Sequence, residues 1–336
     1  MSDMIDSSTG RDAIAYVGET PWHNKGRQLT VGAPIEQWIQ EAGLAYNVIE
    51  SPISYWDKFK NAYCEFPGRK ALYRSDTGGA LSVMSSQYRT VQPEQIVRFF
   101  DGILSHAGAT MEVAGALDDG KRVWALAKLA QGADILDGDI VEPYLLAATS
   151  YDGTMSSTFK LTAIRVVCHN TITAAVGYQG EGQSEKGREG GTIRVPHDQD
   201  FDPDNVRIDL GITFDTWERF LFTSRKLART PVDEAFAIHF LKLLLPPPTR
   251  TQDGKKILLP IEDSKAYSSI MALFNGAAMG SDHPAAAGTA YGLLNAVTEY
   301  VDHDRGGDRT RLSSAWFGSG EGMKNRALEI LVDVTA

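Results

Sequence analysis

The chain has 336 residues, 33 Lys and Arg against 43 Asp and Glu for a formal charge of −10, and is 43% apolar and 23% charged. It is too apolar to be disordered, and its negative total excludes a polybasic protein held to DNA by bulk charge. The length exceeds what one hydrophobic core usually holds, so two domains are expected. Two cysteines far apart, Cys64 and Cys168, exclude a disulfide scaffold and an all-cysteine zinc site. No apolar run approaches the roughly 20 residues of a membrane span. The polar MSDMIDSSTGRD at the start predicts no secretory signal, and a cytoplasmic protein is expected.

In chain order, the turn-rich GETPWHNKG comes first, with Trp22 expected to plug into the core. A short helix is predicted at Pro34–Ala42, Pro34 opening it and Gly43 closing it. From Tyr46 to Met84 the pattern changes to period two. The runs YNVIESPISYW, KNAYCEF, KALYR and ALSVMS, broken by Pro-Gly and Gly-Gly, predict a β-meander. PEQIVRFFDGILSHAG predicts one helix with Ile96, Phe99, Phe100, Ile103 and Leu104 on a face. Two hairpins follow, the first turning at Asp119-Gly120 and the second near Asp152-Gly153. Gln179–Gly191 has no apolar side chain and is expected to be a mobile loop, after which TIRVPH returns to strand. Helices are predicted near Asn205–Arg229, Val232–Leu245, Asp263–Met279, Thr289–His303 and Gly322–Val332, with the prolines at 246–248 stopping one of them. The fold class is therefore α+β: an antiparallel sheet with a crossing helix in residues 1–200, then an all-α domain in 201–336.

Several motifs invite a chemical reading. Cys168-His169 resembles a nucleophile and base, but neighbours on a strand point to opposite faces, and a buried core cysteine fits better. Asp302, His303, Asp304 and Asp308 crowd a helix end and offer oxygen ligands to Mg²⁺, but such clusters are more often solvated or paired with neighbours such as Arg305 and Arg309, and no cofactor is assigned. The aspartates of HDQDFDPD lack the glycine and glutamate of a calcium loop. No GxxxxGK[ST] occurs, and GSGEGMK precedes a helix without a strand before it. No catalytic residue is assigned.

The remaining constellation is positional. Residues 51–100 carry Lys58, Lys60, Arg69, Lys70, Arg74, Arg89 and Arg98 against Asp57, Glu65, Asp76 and Glu94, interleaved with Tyr55, Trp56, Phe59, Tyr63, Tyr73 and Tyr88. Cations for phosphates and rings for bases are what hold single-stranded nucleic acid. The candidate contacts are Lys58, Lys60, Arg69, Lys70, Arg74, Arg89, Lys160, Arg165, Lys186 and Arg188. In a meander half of the 51–89 side chains face the core, so strand register decides which rings and cations are available. Lys160 and Arg165 lie an odd number of residues apart, so a regular strand puts them on opposite faces.

The segments PWHNKG, YRSDTGGALSVMSSQYRTVQPEQ, AGALDDGKRVWALAKL, TSYDGTMSS, IRVVCHNT and NAVTEYVDH resemble the phage- and plasmid-related "domain of unknown function 932" family, from about Trp22 to Leu331. The chain departs from the usual family form at Tyr151 and His169. The resemblance implies a protein of phages, prophages and plasmids, acting in the cytoplasm of a bacterial host, and supplies no reaction. By fold-level analogy the α+β core is also similar to phage single-strand annealing recombinases of the RecT/Red-beta kind. Together these suggest an ATP-independent protein that binds and anneals single-stranded DNA as a homo-oligomer, with a phage exonuclease or host DNA-binding protein as a further partner and no membrane. Alternatives are an anti-restriction or host-inhibition protein with an acidic face, and a metal-dependent enzyme at VDHDRGGD.

Gln179–Gly191 generates a test of its own. Composition predicts that protease cuts it in the protein alone and that oligonucleotide protects it, through Lys186 and Arg188. Equal cleavage with and without oligonucleotide, and full binding after its deletion, would reduce the loop to a spacer.

Overall fold

The computed structural model describes residues 5–18, 25–104, 109–129, 132–165, 171–173, 188–189, 192–206, 213–252 and 255–335. Trp22, Cys168, His169 and Lys186 lie outside these residues, as does most of Gln179–Gly191. The protein is mixed α and β, with antiparallel sheets and helices concentrated towards the C-terminus. Its strands are β1 (Ile14–Val17), β2 (Arg27–Leu29), β3 (Val48–Asp57), β4 (Ala62–Arg74), β5 (Ala80–Ser85), β6 (Thr110–Leu117), β7 (Arg122–Lys128), β8 (Ala133–Asp134), β9 (Ile140–Ser150), β10 (Ser157–Arg165), β11 (Thr171–Thr173), β12 (Arg188–Glu189), β13 (Thr192–Val195), β14 (Thr249–Gln252) and β15 (Lys255–Leu258). The helices are α1 (Ile35–Glu41), α2 (Pro93–Arg98), α3 (Asp101–Leu104), α4 (Thr213–Ala228), α5 (Glu234–Leu244), α6 (Lys265–Ala272), α7 (Ala290–Glu299), α8 (Asp308–Phe317) and α9 (Ser319–Val334).

Ten strands form one sheet in the order β12-β13-β10-β9-β7-β6-β1-β2, with β11 beside β10 and β8 beside β9; β3-β4-β5 and β14-β15 form two smaller sheets. The chain divides into two compact units that interleave rather than meeting at one boundary near residue 200. One holds Met1–Ala130, Tyr144–Lys160 and Glu181–Gly211, the other Gln131–Pro143, Leu161–Gly180 and Ile212–Ala336. The cuts fall inside β9 and β10, because both strands run on from one unit into the next.

In the first unit, Val123, Ala125 and Ala127 of β7 and Ala114 and Ala116 of β6 share a core with Trp38 and Ile39 of α1 and Ile96 and Val97 of α2. Alternate small residues on the strands leave room for the bulky helix side chains. The other face is also buried, at Trp124 and Leu126 of β7 and at their partners Ala148 and Leu146 of β9, so the hydrophobic pattern of β7 is continuous rather than alternating. The helix expected over PEQIVRFFDGIL is broken into α2 and α3 at Phe99-Phe100. Successive helix residues point about 100° apart, and the break lets both rings be fully buried, edge to face with each other at 5.3 Å. Gln92 ties this segment to the meander: its side chain accepts from the Val48 N–H at 2.8 Å and donates to the Val48 carbonyl at 3.2 Å.

The second unit is built around α7, whose residues from Ala290 to Thr298 are all buried. Its C-terminal part is not all-α, since β14 and β15 pair as a hairpin there. Thr289 caps α7 by accepting from the Gly292 N–H at 3.0 Å. At Gly292 a Cβ would stand 1.8 Å from the Ala286 carbonyl oxygen, so the helix meets the preceding loop only because that side chain is absent. Gly292→Ala is therefore expected to destabilise this unit by at least about 1–3 kcal/mol. Urea unfolding measures it, and an unchanged midpoint would show that the loop yields at no cost.

Candidate nucleic-acid interface

The meander carries the candidate site. β3 and β4 pair from Val48–Arg74 out to Asp57–Ala62, whereas β5 covers only Arg69–Tyr73 of β4. Between the Pro52–Lys70 and Ser54–Glu65 pairs β3 spends one residue, Ile53, and β4 spends four, 66–69. This bulge turns on Gly68 at φ +72°, a conformation cheap for glycine alone. Beyond it, β3 and β4 continue as a two-stranded ribbon.

The ribbon closes through Lys58, Phe59, Lys60 and Asn61. The Asp57 carboxylate accepts the Phe59 and Lys60 N–H groups at 2.9 and 3.2 Å, and Asn61 takes the left-handed conformation at φ +46°. Aromatic rings stand on both faces. Trp56 meets Tyr63 edge to face at 5.2 Å, matching their register, and Tyr55 meets Phe66 at 6.4 Å. None of these four rings is buried; Tyr63 is 75% exposed, and Phe59 at the tip is fully exposed. Rings this exposed contribute little to folding. Period two places them on a strand, and only the pairing shows that this strand has left the core.

The ten candidate cations separate sharply. Lys58 and Arg69 are exposed on the ribbon and at its bulge, with no ion pair among the described residues. Lys60 stands 3.9 Å from Asp57 and is 68% exposed. Lys70 is occupied structurally, 2.8 Å from Glu50 and donating to the Tyr88 carbonyl at 2.7 Å. Although partial burial works against it, the hydrogen bonds from Lys70 and Thr90 hold the Glu50 carboxyl below its usual value. Arg89 is exposed in the loop before α2, 3.6 Å from Asp200.

Arg74 and Lys160 have to be withdrawn as strand contacts, because both are buried. Arg74 ion-pairs with Asp6 and, at 2.8 Å, with Asp76, donates to Ser8 and the Asp119 carbonyl, and lies 4.0 Å from the centroid of the Tyr46 ring. Burial opposes its charge, but the bonds to Asp76 and Asp6 prevail and its pKa is raised. The same guanidinium bond holds Asp76 below its ordinary 3.8, and burial lifts the Tyr46 phenol well above its usual range. Arg165 ends β10 and Arg188 starts β12, but their side chains are outside the described residues.

Of the acidic group considered for Mg²⁺, one member has another partner. Asp302 lies 2.8 Å from the buried Lys324 ammonium, His303 and Asp304 are exposed, and the Asp308 side chain is outside the described residues. Among the described residues no three His, Cys, Asp or Glu side chains gather as metal ligands, and no helix is long and apolar enough to cross a membrane.

A profile of the family described as "Domain of unknown function (DUF932)" matches residues 80–327. The chain belongs to this family. No curated protein and no solved structure matches it. The match begins at Ala80, the first residue of β5, so β3, β4 and the ribbon precede what the chain shares with DUF932.

These placements give Arg74 and Arg69 unequal weight in stability. Arg74→Ala leaves Asp6 buried and unpaired and is expected to cost about 3–5 kcal/mol, against within about 0.5 kcal/mol for Arg69→Ala. The Asp76 contribution is complete above pH 3.8, is lost as pH falls through its lowered value, and disappears in Arg74→Ala. Urea unfolding from pH 7 to pH 2 measures both; equal midpoints for the two variants would contradict the assignment.

Proposed function

We propose that this chain binds single-stranded nucleic acid along the β3–β4 ribbon, phosphates against Lys58, Lys60 and Arg69 and bases stacked on Phe59, Trp56 and Tyr63. The observation that carries this reading is the exposure of these rings beside Lys58 and Arg69, which make no ion pair among the described residues, and beside Lys60, which is 68% exposed although 3.9 Å from Asp57. Stacking on a ring is tolerant of sequence and is worth about 1–3 kcal/mol per base. A two-stranded ribbon with rings on both faces suits unpaired bases better than a stacked duplex, whose π-faces are already covered.

The acidic total is compatible with this. Ribbon and bulge hold Lys58, Lys60 and Arg69 against Asp57 and Glu65, a local balance of +1 in a chain of −10. The acidic remainder repels a phosphate backbone from much of the surface and so favours places where cations outnumber carboxylates. The finer reading is ATP-independent annealing by a homo-oligomer of phage or plasmid origin, comparable to RecT/Red-beta proteins. It draws on the absence of a phosphate-loop sequence and on the family resemblance, and it is the proposal's outer limit.

Fluorescence anisotropy with labelled oligo(dT) tests the binding. Three phosphate contacts give a log–log salt slope of about −2 on a single strand. Lys58→Ala/Lys60→Ala/Arg69→Ala is expected to remove most of that slope, and Phe59→Ala and Trp56→Ala to cost about 1–3 kcal/mol each at unchanged stability. Duplex of the same length should bind more weakly, and mixing complementary strands with protein should speed pairing without ATP. Absence of oligo(dT) binding at low salt, or binding indifferent to all three cations, would end the proposal.

A further inference from the structure

Helix α4 carries a second group of unneutralised cations, far from the ribbon in sequence. Its buried side is Phe220, Leu221, Ser224, Leu227 and Ala228, which turns Glu218, Phe222, Lys226 and Arg229 outwards at helical spacing. Beside this outward stripe lies a cleft of about 490 Å³ lined by Glu218, Phe222, Arg225, Lys226, Arg229 and Thr230. That is within the roughly 300–1,000 Å³ usual for small-molecule sites.

Three features of the cleft point to its ligand. First, it holds three cations and one carboxylate, and Lys226 and Arg229 make no ion pair among the described residues. The negative end of the α4 dipole offsets only about half a charge, so the cleft stays positive in an acidic chain. Second, Arg225 is held in place: its Nε and Nη2 donate to the Asp134 carbonyl at 3.0 and 2.7 Å, which fixes the plane of the guanidinium. A guanidinium fixed in this way loses little freedom when its remaining N–H groups bind a phosphate. Third, Phe222 is 72% exposed, one helical turn from Arg225 and Lys226 and about 10 Å along the axis from Arg229. A bare inorganic anion would use neither that ring nor a space this large.

We infer that the α4 cleft is a nucleotide site, in which Arg225, Lys226 and Arg229 take the phosphate and Phe222 stacks with the base. Free nucleotide and a residue of a nucleic-acid strand present the same chemistry, and the site accepts either. The site lies within the DUF932 match and involves no residue of the ribbon, so it stands independently of the function proposed for β3 and β4.

The test is calorimetry on the full chain with thymidine 5′-monophosphate, inorganic phosphate and oligo(dT). The proteins are wild type, Lys226→Ala/Arg229→Ala, Phe222→Ala and the ribbon variant Lys58→Ala/Lys60→Ala/Arg69→Ala. All these side chains are exposed, and thermal melting confirms folding. Loss of thymidine monophosphate binding by at least about tenfold in both cleft variants, with the ribbon variant unaffected, establishes the site for free nucleotide. No monophosphate binding but a tenfold weaker oligo(dT) complex in both cleft variants establishes it for a strand. The inference fails if neither ligand responds to the cleft variants, or if inorganic phosphate binds as well as the nucleotide and Phe222→Ala changes nothing. Because the ribbon variant is measured alongside, failure of the cleft and failure of the ribbon are read separately.

Discussion

The first unit is organised around one buried cation. Arg74, at the end of β4, reaches the N-terminal segment through Asp6 and Ser8, the turn after its own strand through Asp76, and the β6–β7 turn through the Asp119 carbonyl. Tyr46 lies over the guanidinium and donates to the Gly120 carbonyl at 3.1 Å, so the ring and the ion brace the same turn. Desolvating a guanidinium costs several kcal/mol, returned only when its donors and its charge are met together. The meander, the N-terminal segment and the large sheet are thereby committed to one arrangement, because any one of them moving leaves a charge exposed to an apolar surround.

Nearby polar contacts continue the same bracing. Tyr88 donates to the Ser150 carbonyl at 2.7 Å and stacks on His197, whose two ring nitrogens face the Arg89 and Met155 carbonyls at 3.3 and 3.1 Å. Burial lowers the His197 pKa against these two bonds. Ser82 donates to the Tyr151 carbonyl. The meander is thus pinned along its inner end, and only the part beyond the bulge escapes.

Much of this was legible in the residues. The Asp119-Gly120 and Asp152-Gly153 turns, the meander from β3 to β5 and the start of α2 at Pro93 follow from turn chemistry and period. What could not be read was which side of a strand faces inwards. Arg69 and Arg74 lie an odd number of residues apart on β4, and which of the two faces inwards is settled only by the packing, which exposes Arg69 and buries Arg74. Lys160 is buried for the same reason of register. The burial of Phe99 and Phe100 was expected from the apolar face, but the break in the helix at these residues leaves no signal in its periodicity. β14 and β15 were missed since the surrounding prolines and helices drew the segment into an all-α reading. The α4 cations form no motif in the sequence, since cations in the last turn of a helix also serve to complement its dipole.

The bulge at 66–69 has an evolutionary consequence. It uncouples the ribbon from the ladder that β4 forms with β5, and the ribbon's exposed rings do not belong to the core cluster. Substitutions on the ribbon and substitutions in the core therefore fall on separate residues. A descendant could exchange the segment between Ile53 and Arg69 for another hairpin and keep Arg74, its partners and the family domain unaltered. Relatives sharing DUF932 would then differ in ligand while agreeing in architecture, and the arm would be the place where such proteins diversify.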